Sequence, residues 1–344
     1  MKVKSKASIV KFIIPAFIVL MLIVLMTKGL SAGEYITLCL RRTCMLMVMV
    51  LAVTPTMYSG VGINYGVTVG FVCGLAGAVI GISTGATGVA LILACIVCSL
   101  PFALAAGFGY GLLLNKVKGA EDLISTYAGY AFVAFGSIIW VILKPSDKVL
   151  RFANGEGIRT QVALDGLFKD ILTNFLSINI GDFEFPAGFL LVTIAFCGAM
   201  ALFIRSNTGT KMKVVGHNPT YAKSIGISVD HYRLLSVVIS TVLAAIGITF
   251  YAQTFGFYEF YSSYLQLGFT CVAGVLIGGA IGNTVTMWNV IYGCFLFETI
   301  LTLSTPVANK VFTSGAMAEI IRLLITNGVI LYALTKQGGN EDGR

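Results

Sequence analysis

The sequence predicts an all-α polytopic membrane protein with about ten transmembrane segments, some of them broken or half-length. Of its 344 residues, 57% are hydrophobic and only 11% are charged, and the mean hydropathy is +0.91. Soluble domains carry about a quarter charged residues, so this composition excludes a soluble globular protein. The apolar runs are long and unbroken, whereas a membrane β-barrel requires short alternating strands. We therefore expect residues 1–344 to form one transmembrane domain in the inner (cytoplasmic) cell membrane.

The charged residues and the cysteines argue against several other classes of protein. The net charge of +8 indicates orientation in a membrane rather than nucleic-acid binding, because Lys and Arg collect in cytoplasmic loops. Cys95 and Cys98 form a C-x-x-C pair in an apolar run with no histidine nearby, which favours packing over metal or redox chemistry. The sequence contains no G-x-x-x-x-G-K-[ST] phosphate loop. We expect no metal, no cofactor and no enzymatic activity, so any ATP that drives this protein is hydrolysed by another chain.

The first half of the chain is predicted to cross the membrane five times. The five apolar segments are residues 12–26, 43–54, 67–82, 88–114 and 123–143. Four lysines within residues 1–11 precede the first segment and place the N-terminus in the cytoplasm. Residues 28–42 then form an outer loop, although three basic residues there run against the charge rule.

The second half is predicted to cross five more times, with a large loop on each side of the membrane. Its apolar segments are residues 186–204, 234–252, 266–277, 288–303 and 320–334. Residues 144–185 carry five basic and six acidic side chains, a net charge of −1. Residues 205–233 carry five basic side chains and one acidic side chain, a net charge of +4. This asymmetry predicts that 144–185 is an extracytoplasmic loop and 205–233 a cytoplasmic coupling loop. An even number of crossings leaves the C-terminus in the cytoplasm as well.

A glycine-rich stretch after the second segment is the first candidate for a translocation pathway. It reads PTMYSGVGINYGVTVG, which is too rich in glycine for the centre of a continuous helix. Broken helices expose backbone groups that can bind a polar solute, and they persist where protein or a watery cavity satisfies those groups. The candidate pathway residues are Gly60, Gly62, Asn64, Tyr65 and Gly66. Close packing of helices is the alternative use of these glycines.

Polar residues inside later segments are further candidates. Glu298 lies in an apolar run and either lines the pathway or sits near the outer interface. Asn283 is a candidate pathway or packing residue. Glu319 and Arg322 are three residues apart and are predicted to form a local pair on one helix face. Both histidines lie in the loop of residues 205–233 and are expected to be surface residues rather than ligands.

A short capped helix is predicted at residues 219–225, inside the cytoplasmic loop. Asn218 is a good N-cap, and Pro219 suits the first helical turn. Gly226 is a good helix stop, and Ile227 supplies the apolar contact that often closes such an end. A short basic helix at the membrane face is suited to docking in the groove of another protein. A simple connector between two spans is the alternative.

Three stretches resemble the permease subunits of ATP-binding cassette importers, in the ribose-type subfamily that handles sugars, nucleosides and branched-chain amino acids. The loop GHNPTYAKSIGI (216–227) resembles that family's cytoplasmic loop, and SGVGINYG (59–66) and VLIGG (275–279) resemble two further family stretches. The resemblance implies a type II importer-like fold, with a coupling helix seated on an ATPase. The ATPase-coupling residues that it implies are Gly216, His217, Asn218, Pro219, Ala222, Gly226 and Ile227.

The resemblance also implies the partners of the chain. These are a P-loop ATPase subunit, an extracytoplasmic solute-binding protein that delivers the solute, and a second permease copy or a related permease, all assembled at the lipid bilayer. The solute is a small polar one, a sugar or a nucleoside: Asn218–Pro219 favours a nucleoside, and Phe185–Pro186 favours a sugar. The alternative function is a self-sufficient secondary transporter or channel, which requires no ATPase.

Overall fold

A computed structural model describes residues 2–145, 147–152, 156–262, 264–280, 285–311, 316–317, 319–325, 327–328 and 331, with side chains from residue 14 onward. The helices of the first half are α1 (Lys2–Thr27), α2 (Ala32–Tyr58), α3 (Thr68–Ser83), α4 (Gly88–Lys116) and α5 (Glu121–Ile142), and a 3-10 turn (Tyr65–Val67) precedes α3. The later helices are α6 (Ile171–Asn174), α7 (Ala187–Arg205), α8 (Asn207–His217), α9 (Pro219–Ser224), α10 (Val229–Phe255), α11 (Tyr264–Ile277) and α12 (Met287–Val311). The strands are β1 (Gln161–Ala163), β2 (Ser177–Ile180), β3 (Phe183–Pro186) and β4 (Phe257–Glu259).

The long helices form one bundle with two distinct ends. α2 begins beside the loop of residues 144–185, where the Glu184 amide donates a hydrogen bond to Thr37 Oγ1 at 2.9 Å. It finishes at Tyr58, whose backbone packs against Gly216 of α8. We call the end that carries α8 and α9 the coupling-loop end, and the end covered by residues 144–185 the opposite end.

The number of spans agrees with a polytopic fold. Within the described residues, seven helical stretches are long and apolar enough to cross a membrane, and residues 14–27 and 264–277 form two shorter apolar helices. The tenth predicted segment, residues 320–334, is described only in part and is helical where it is described. These helices are compatible with the predicted total of about ten.

The middle of α2 lies at the centre of the bundle because it is apolar on every side. Each residue from Leu46 to Val53 is at most 2% exposed. By contrast, α4 and α5 expose large apolar side chains such as Leu93, Phe108 and Ile138, as expected for helices that face lipid. A helix that is hydrophobic all round belongs inside a bundle.

The prediction that residues 28–42 form an outer loop is largely wrong. α2 begins at Ala32, so most of these residues are its first turns rather than a loop. One of the basic residues of this stretch is accommodated at the end of the bundle, where Arg41 forms an ion pair with Glu184 of β3 at 2.6 Å. A hydropathy pattern cannot reveal such a partner, because it lies far away in the sequence.

The loop of residues 144–185 is folded rather than irregular. β1 pairs antiparallel with β4, with Val162 opposite Tyr258, and β2 forms a hairpin with β3. Leu150, Ile158 and Phe168 are at most 1% exposed and join the main hydrophobic cluster of the bundle. The sequence did not predict these strands, which are only three or four residues long.

Candidate coupling surface and helix break

Two consecutive helices, α8 and α9, form the coupling-loop end, where the sequence predicted one. The hydroxyl of Ser206 caps α8 by accepting a hydrogen bond from the Gly209 amide at 3.3 Å. α8 continues to His217 and therefore contains Gly216 and His217, two of the predicted coupling residues. α9 then starts after a single intervening residue, Asn218.

The predicted caps of α9 are confirmed. The side-chain oxygen of Asn218 accepts a hydrogen bond from the Tyr221 amide at 2.9 Å, and Pro219 occupies the first turn. At the other end Gly226 adopts a left-handed φ of +80°, and the Ile227 amide donates to the carbonyl five residues earlier at 2.9 Å. This closed turn satisfies carbonyls that the end of a helix otherwise leaves unpaired.

α9 is fixed on one side and exposed on the other. Ala222 is fully buried in a small apolar cluster with Val215 of α8 and Val229 of α10. Tyr221 of α9 and Ile225, the residue that directly follows α9, are 55% and 49% exposed. Two large apolar side chains are therefore exposed at the end of a short, firmly capped helix.

Backbone contact between two glycines joins α8 to the end of α2. A Cβ atom placed on Gly216 would lie 2.3 Å from the Tyr58 carbonyl oxygen and 2.9 Å from the Gly60 nitrogen. A Cβ atom on Gly60 would lie 2.8 Å from the Gly216 Cα, and Gly60 has a φ of +72°. No other residue type fits such an approach without displacement. The predicted coupling loop and the predicted helix break are therefore in direct contact.

A buried arginine ties the same break to three helices. Arg233 in the first turns of α10 is 8% exposed and donates to the Gly60 carbonyl at 2.9 Å and to Asn115 Oδ1 of α4 at 3.2 Å. Its guanidinium also forms an ion pair with Glu121 at the start of α5. The Asp122 carboxylate accepts a hydrogen bond from the Ile63 amide at 3.2 Å. These contacts fix the break between the ends of α4, α5 and α10.

Asn64 is enclosed by protein rather than facing open space. It is 1% exposed, and its amide nitrogen donates to Ser240 Oγ of α10 at 3.0 Å. Its amide oxygen accepts from the Tyr110 hydroxyl of α4 at 2.6 Å. Ser240 lies seven residues beyond Arg233, about 10 Å further along α10. The break therefore runs from the coupling-loop end into the bundle.

The remaining residues of the predicted pathway differ in how open they are. A Cβ atom on Gly66 would lie 2.1 Å from the Tyr110 hydroxyl oxygen, so this glycine is required for close packing. Gly62 has a φ of +95° and is partly exposed. Tyr65 is also partly exposed, and its ring centroid lies 5.4 Å from that of Phe269 in α11. Among these three residues, Gly62 and Tyr65 are thus the partly exposed ones.

The family model described as branched-chain amino acid transport system / permease component matches residues 35–334. The chain belongs to this family. The match covers both the helix break and the coupling loop. A family of permease components agrees with the polytopic membrane fold and with the permease family that the resemblance indicated.

Curated relatives of the permease family are similar to parts of this chain. The nucleoside ABC transporter permease protein NupB of Lactococcus lactis subsp. cremoris is 23% identical over 233 residues, which are 67% of this chain and 59% of that protein. The nucleoside ABC transporter permease protein NupC of the same organism is 31% identical over 121 residues, 35% of each chain. The autoinducer 2 import system permease protein LsrC of an Enterobacter species is 26% identical over 175 residues, 46% of this chain and 50% of that protein. The chain thus spans between 35% and 59% of the length of these relatives.

Other predicted site residues are placed as follows. Glu298 is 5% exposed and lies near the middle of α12, away from either end of that helix. Asn283 lies outside the described residues. The predicted local pair is confirmed, since Arg322 Nε donates to Glu319 Oε2 at 2.9 Å. Both histidines are exposed, as predicted.

Sequence reasoning missed the polar side chains that hold the break in place. Arg233 entered the prediction only as one of the charges that assigned residues 205–233 to the cytoplasmic side of the membrane. Tyr110, Ser240 and Asp122 were not predicted to have a role. Arg233 carried a usable signal, because it is a charged residue at the point where a polar loop enters an apolar helix. Tyr110 and Ser240 carried none, because a tyrosine or a serine in an apolar run is compatible with many environments.

Proposed function

We propose that the chain is the permease subunit of an ATP-binding cassette importer and forms the translocation pathway for a small polar solute. In this proposal a P-loop ATPase subunit binds the exposed face of α9, and ATP hydrolysis occurs on that subunit. A solute-binding protein delivers the solute at the opposite end. A second permease copy or a related permease completes the assembly.

The observation that carries the proposal is the direct joint between α9, α8 and the helix break. Tyr221 of α9 and Ile225 directly after it are exposed, while Gly216 rests on Gly60 with no intervening side chain. A close-packed joint transmits a displacement rather than absorbing it, because protein interiors are dense and compress little. A movement of α9 would therefore be delivered to the break and to the helices that Arg233 ties to it.

The proposed orientation follows from the charges of the two loops. The coupling-loop end, with its net charge of +4 between residues 205 and 233, lies in the cytoplasm together with the two termini. The loop of residues 144–185 then lies outside the cytoplasm, where its folded surface can meet a solute-binding protein.

We propose a nucleoside as the solute, in preference to a sugar. Two of the curated relatives are described as nucleoside permeases, and the sequence itself left the two classes open. The proposed pathway residues are Gly60, Gly62, Asn64, Tyr65, Gly66, Asn283 and Glu298. Among those described, Tyr65 is the residue best placed to stack on a base, because its ring is only partly covered.

The partner is tested by co-purification of the ATPase with a double variant, Tyr221→Asp with Ile225→Asp. Both side chains are exposed, so the chain should fold with an unchanged thermal midpoint while the apolar docking face acquires two charges. We expect loss of the ATPase from the purified complex. The matched control is Ile178→Asp, which introduces a charge at an apolar residue 53% exposed on β2 and should retain the ATPase.

Two results would contradict the proposal. One is uptake of the solute into proteoliposomes that contain this chain and no ATPase, the behaviour of a secondary transporter or channel. The other is full retention of the ATPase by the double variant. The solute class is tested separately, by binding of a labelled nucleoside and of ribose to the partner solute-binding protein, where tighter binding of ribose would reject the nucleoside.

A further inference from the structure

An elongated groove lies between α2, α7 and the first half of α12, and none of its described lining residues belongs to Gly60–Gly66 or to α9. Its volume is about 730 Å³, within the range of pockets that hold one small molecule. Along α7 its wall runs from Leu190 to Arg205. Those fifteen steps of helix correspond to about 22 Å, which exceeds the thickness of hydrocarbon in one bilayer leaflet, about 15 Å. The groove is therefore long and narrow, and it runs parallel to the helices.

The walls of the groove offer little to a polar solute. Most of the lining residues are aliphatic or aromatic. The hydroxyls of Thr43 and Thr193 also line it, but each donates its hydrogen to a carbonyl of its own helix, to Cys39 at 2.8 Å and to Phe189 at 2.9 Å. A sugar or a nucleoside requires several convergent hydrogen-bonding groups. The middle of the groove suits a hydrocarbon chain instead.

The coupling-loop end of the groove is positively charged. Arg205 of α7 and Lys213 of α8 line it there, and none of the described lining residues is acidic. Among the described residues neither cation forms an ion pair, and Lys213 Nζ lies 5.2 Å from the centre of the Tyr58 ring. Trp288 lines the same end and is 78% exposed. Tryptophan is enriched at the level of the lipid headgroups in membrane proteins.

We propose that this groove binds one anionic phospholipid, with the phosphate at Arg205 and Lys213 and one acyl chain between α2, α7 and α12. Charge complementarity selects the headgroup, because two cations lie at the mouth of an otherwise apolar groove. Basic pockets between transmembrane helices on the cytoplasmic side commonly bind anionic headgroups. Since Lys213 lies in α8, a bound lipid would also attach α8 to the membrane surface beside the coupling helix.

The headgroup contact is tested by titrating the delipidated full chain with dioleoyl phosphatidylglycerol and dioleoyl phosphatidylcholine, and counting bound lipid by native mass spectrometry. Arg205→Gln and Lys213→Gln should each weaken binding of phosphatidylglycerol about fivefold, the effect expected for one cation near a lipid surface. The matched control is Lys211→Gln, a change on the same helix at a lysine that does not line the groove, and it should leave binding unchanged.

The acyl-chain contact is tested by filling the groove without changing its charge. Gly198 lines it, and a Cβ atom there would meet no other atom within 4 Å, so Gly198→Leu should fold and project into the groove. We expect it to displace both lipids. Gly109→Leu is the control, because Gly109 is equally unobstructed on the exposed side of α4, outside the groove.

The proposal is overturned by any of three results. The first is equal binding of the two lipids with no loss in Arg205→Gln or Lys213→Gln relative to Lys211→Gln. The second is the same lipid occupancy in Gly198→Leu and Gly109→Leu. The third is a photo-crosslinker at position 198 that captures a second permease chain or an ATPase subunit instead of lipid. None of these results requires that the chain couples to an ATPase, so a failure here is distinguishable from a failure of the proposed function.

Discussion

At the coupling-loop end the chain packs backbone against backbone, whereas at the opposite end the loop of residues 144–185 is held by strand pairing and an apolar core. Gly216 and Gly60 meet with no side chain between them. Val162 of β1, in contrast, lies opposite Tyr258 of β4, and both are buried in the main cluster. The first arrangement tolerates almost no change of volume, while the second depends on many small contacts that each contribute little.

One charged pair from each end shows a further contrast. The side chains of Arg233 and Glu121 are only 9% and 14% exposed, and Arg233 also donates to the backbone of the break. Lys144 and Glu156 at the opposite end are 70% and 71% exposed. A buried pair is costly to break, whereas an exposed pair contributes little to stability. The buried pair therefore stiffens the joint at Gly60, whereas the exposed pair holds little in place at the opposite end.

The largest expected effect is the loss of the buried arginine. Arg233→Met keeps the length of the side chain but removes its charge and its hydrogen bonds to Gly60 and Asn115. We expect a loss of about 3–5 kcal/mol in the free energy of unfolding, as for other broken buried pairs. Lys144→Met, the matched change at the opposite end, should cost at most about 1 kcal/mol. The measurement is chemical unfolding of the purified chain in detergent, and equal losses would remove the contrast between the ends.

The next effect in size is a single methyl group at the glycine joint. Gly216→Ala forces a Cβ atom against the Tyr58 carbonyl, and we expect overpacking to cost about 1–3 kcal/mol. Gly109→Ala introduces the same methyl group where nothing lies within 4 Å, so it should be neutral or slightly stabilising. The thermal midpoints of the two variants measure the difference. If Gly216→Ala is as stable as Gly109→Ala, the joint is not close-packed.

The sequence predicted what is local and missed what is distant. The caps of α9 were predictable because Asn218, Pro219 and Gly226 act on backbone groups within a few residues of themselves. The membrane spans were predictable because apolar length decides them. The contact between Gly60 and Gly216 was not, because nothing in either stretch identifies the other as its partner.

The early start of α2 shows the same limit. Residues 28–42 were predicted to be an outer loop although Arg41 and two other basic residues ran against the charge rule, and only the fold reveals Glu184 as the compensating charge of Arg41. The function of Gly60–Gly66 was predicted mainly from its glycine content, together with Asn64 and Tyr65, and glycine content does not distinguish a pathway from close packing. The structure places Gly60 and Gly66 in close packing, and the transport role of the stretch remains a prediction.

A change at Gly226 is expected to affect stability less than the two preceding variants, and it separates coupling from folding. Gly226 has a φ of +80° and open space around its Cβ position, so Gly226→Ile introduces only backbone strain, about 1–2 kcal/mol. We expect the closed turn after α9 to change shape, so that ATP hydrolysis continues without uptake. The measurement is the ratio of nucleoside taken up to ATP hydrolysed in proteoliposomes with the complete transporter. An unchanged ratio would mean that the turn does not position α9 for coupling.

The smallest expected effect concerns Asp170, at the opposite end. Its backbone is in the left-handed region, as is that of Gly226 after α9. Asp170 has a φ of +54°, and its burial raises the pKa of the carboxyl, opposed by the charges of Arg41 and Lys169. Because the pKa is higher in the folded chain than in the unfolded chain, ionisation destabilises the fold. This cost appears as the pH rises through the unfolded-state pKa of about 4 and is complete above the folded-state value.

Asp170→Asn removes that cost, and asparagine tolerates the same backbone conformation. We expect the variant to be slightly more stable than the natural chain at pH 7, with the difference vanishing as the pH falls towards 4. Asp165→Asn is the control: it breaks the exposed pair with Lys169 at 2.8 Å and should be neutral or slightly destabilising at pH 7. Thermal midpoints measured across this pH range test the sign. A gain that persists unchanged at low pH would show that the carboxylate charge at Asp170 is not its cause.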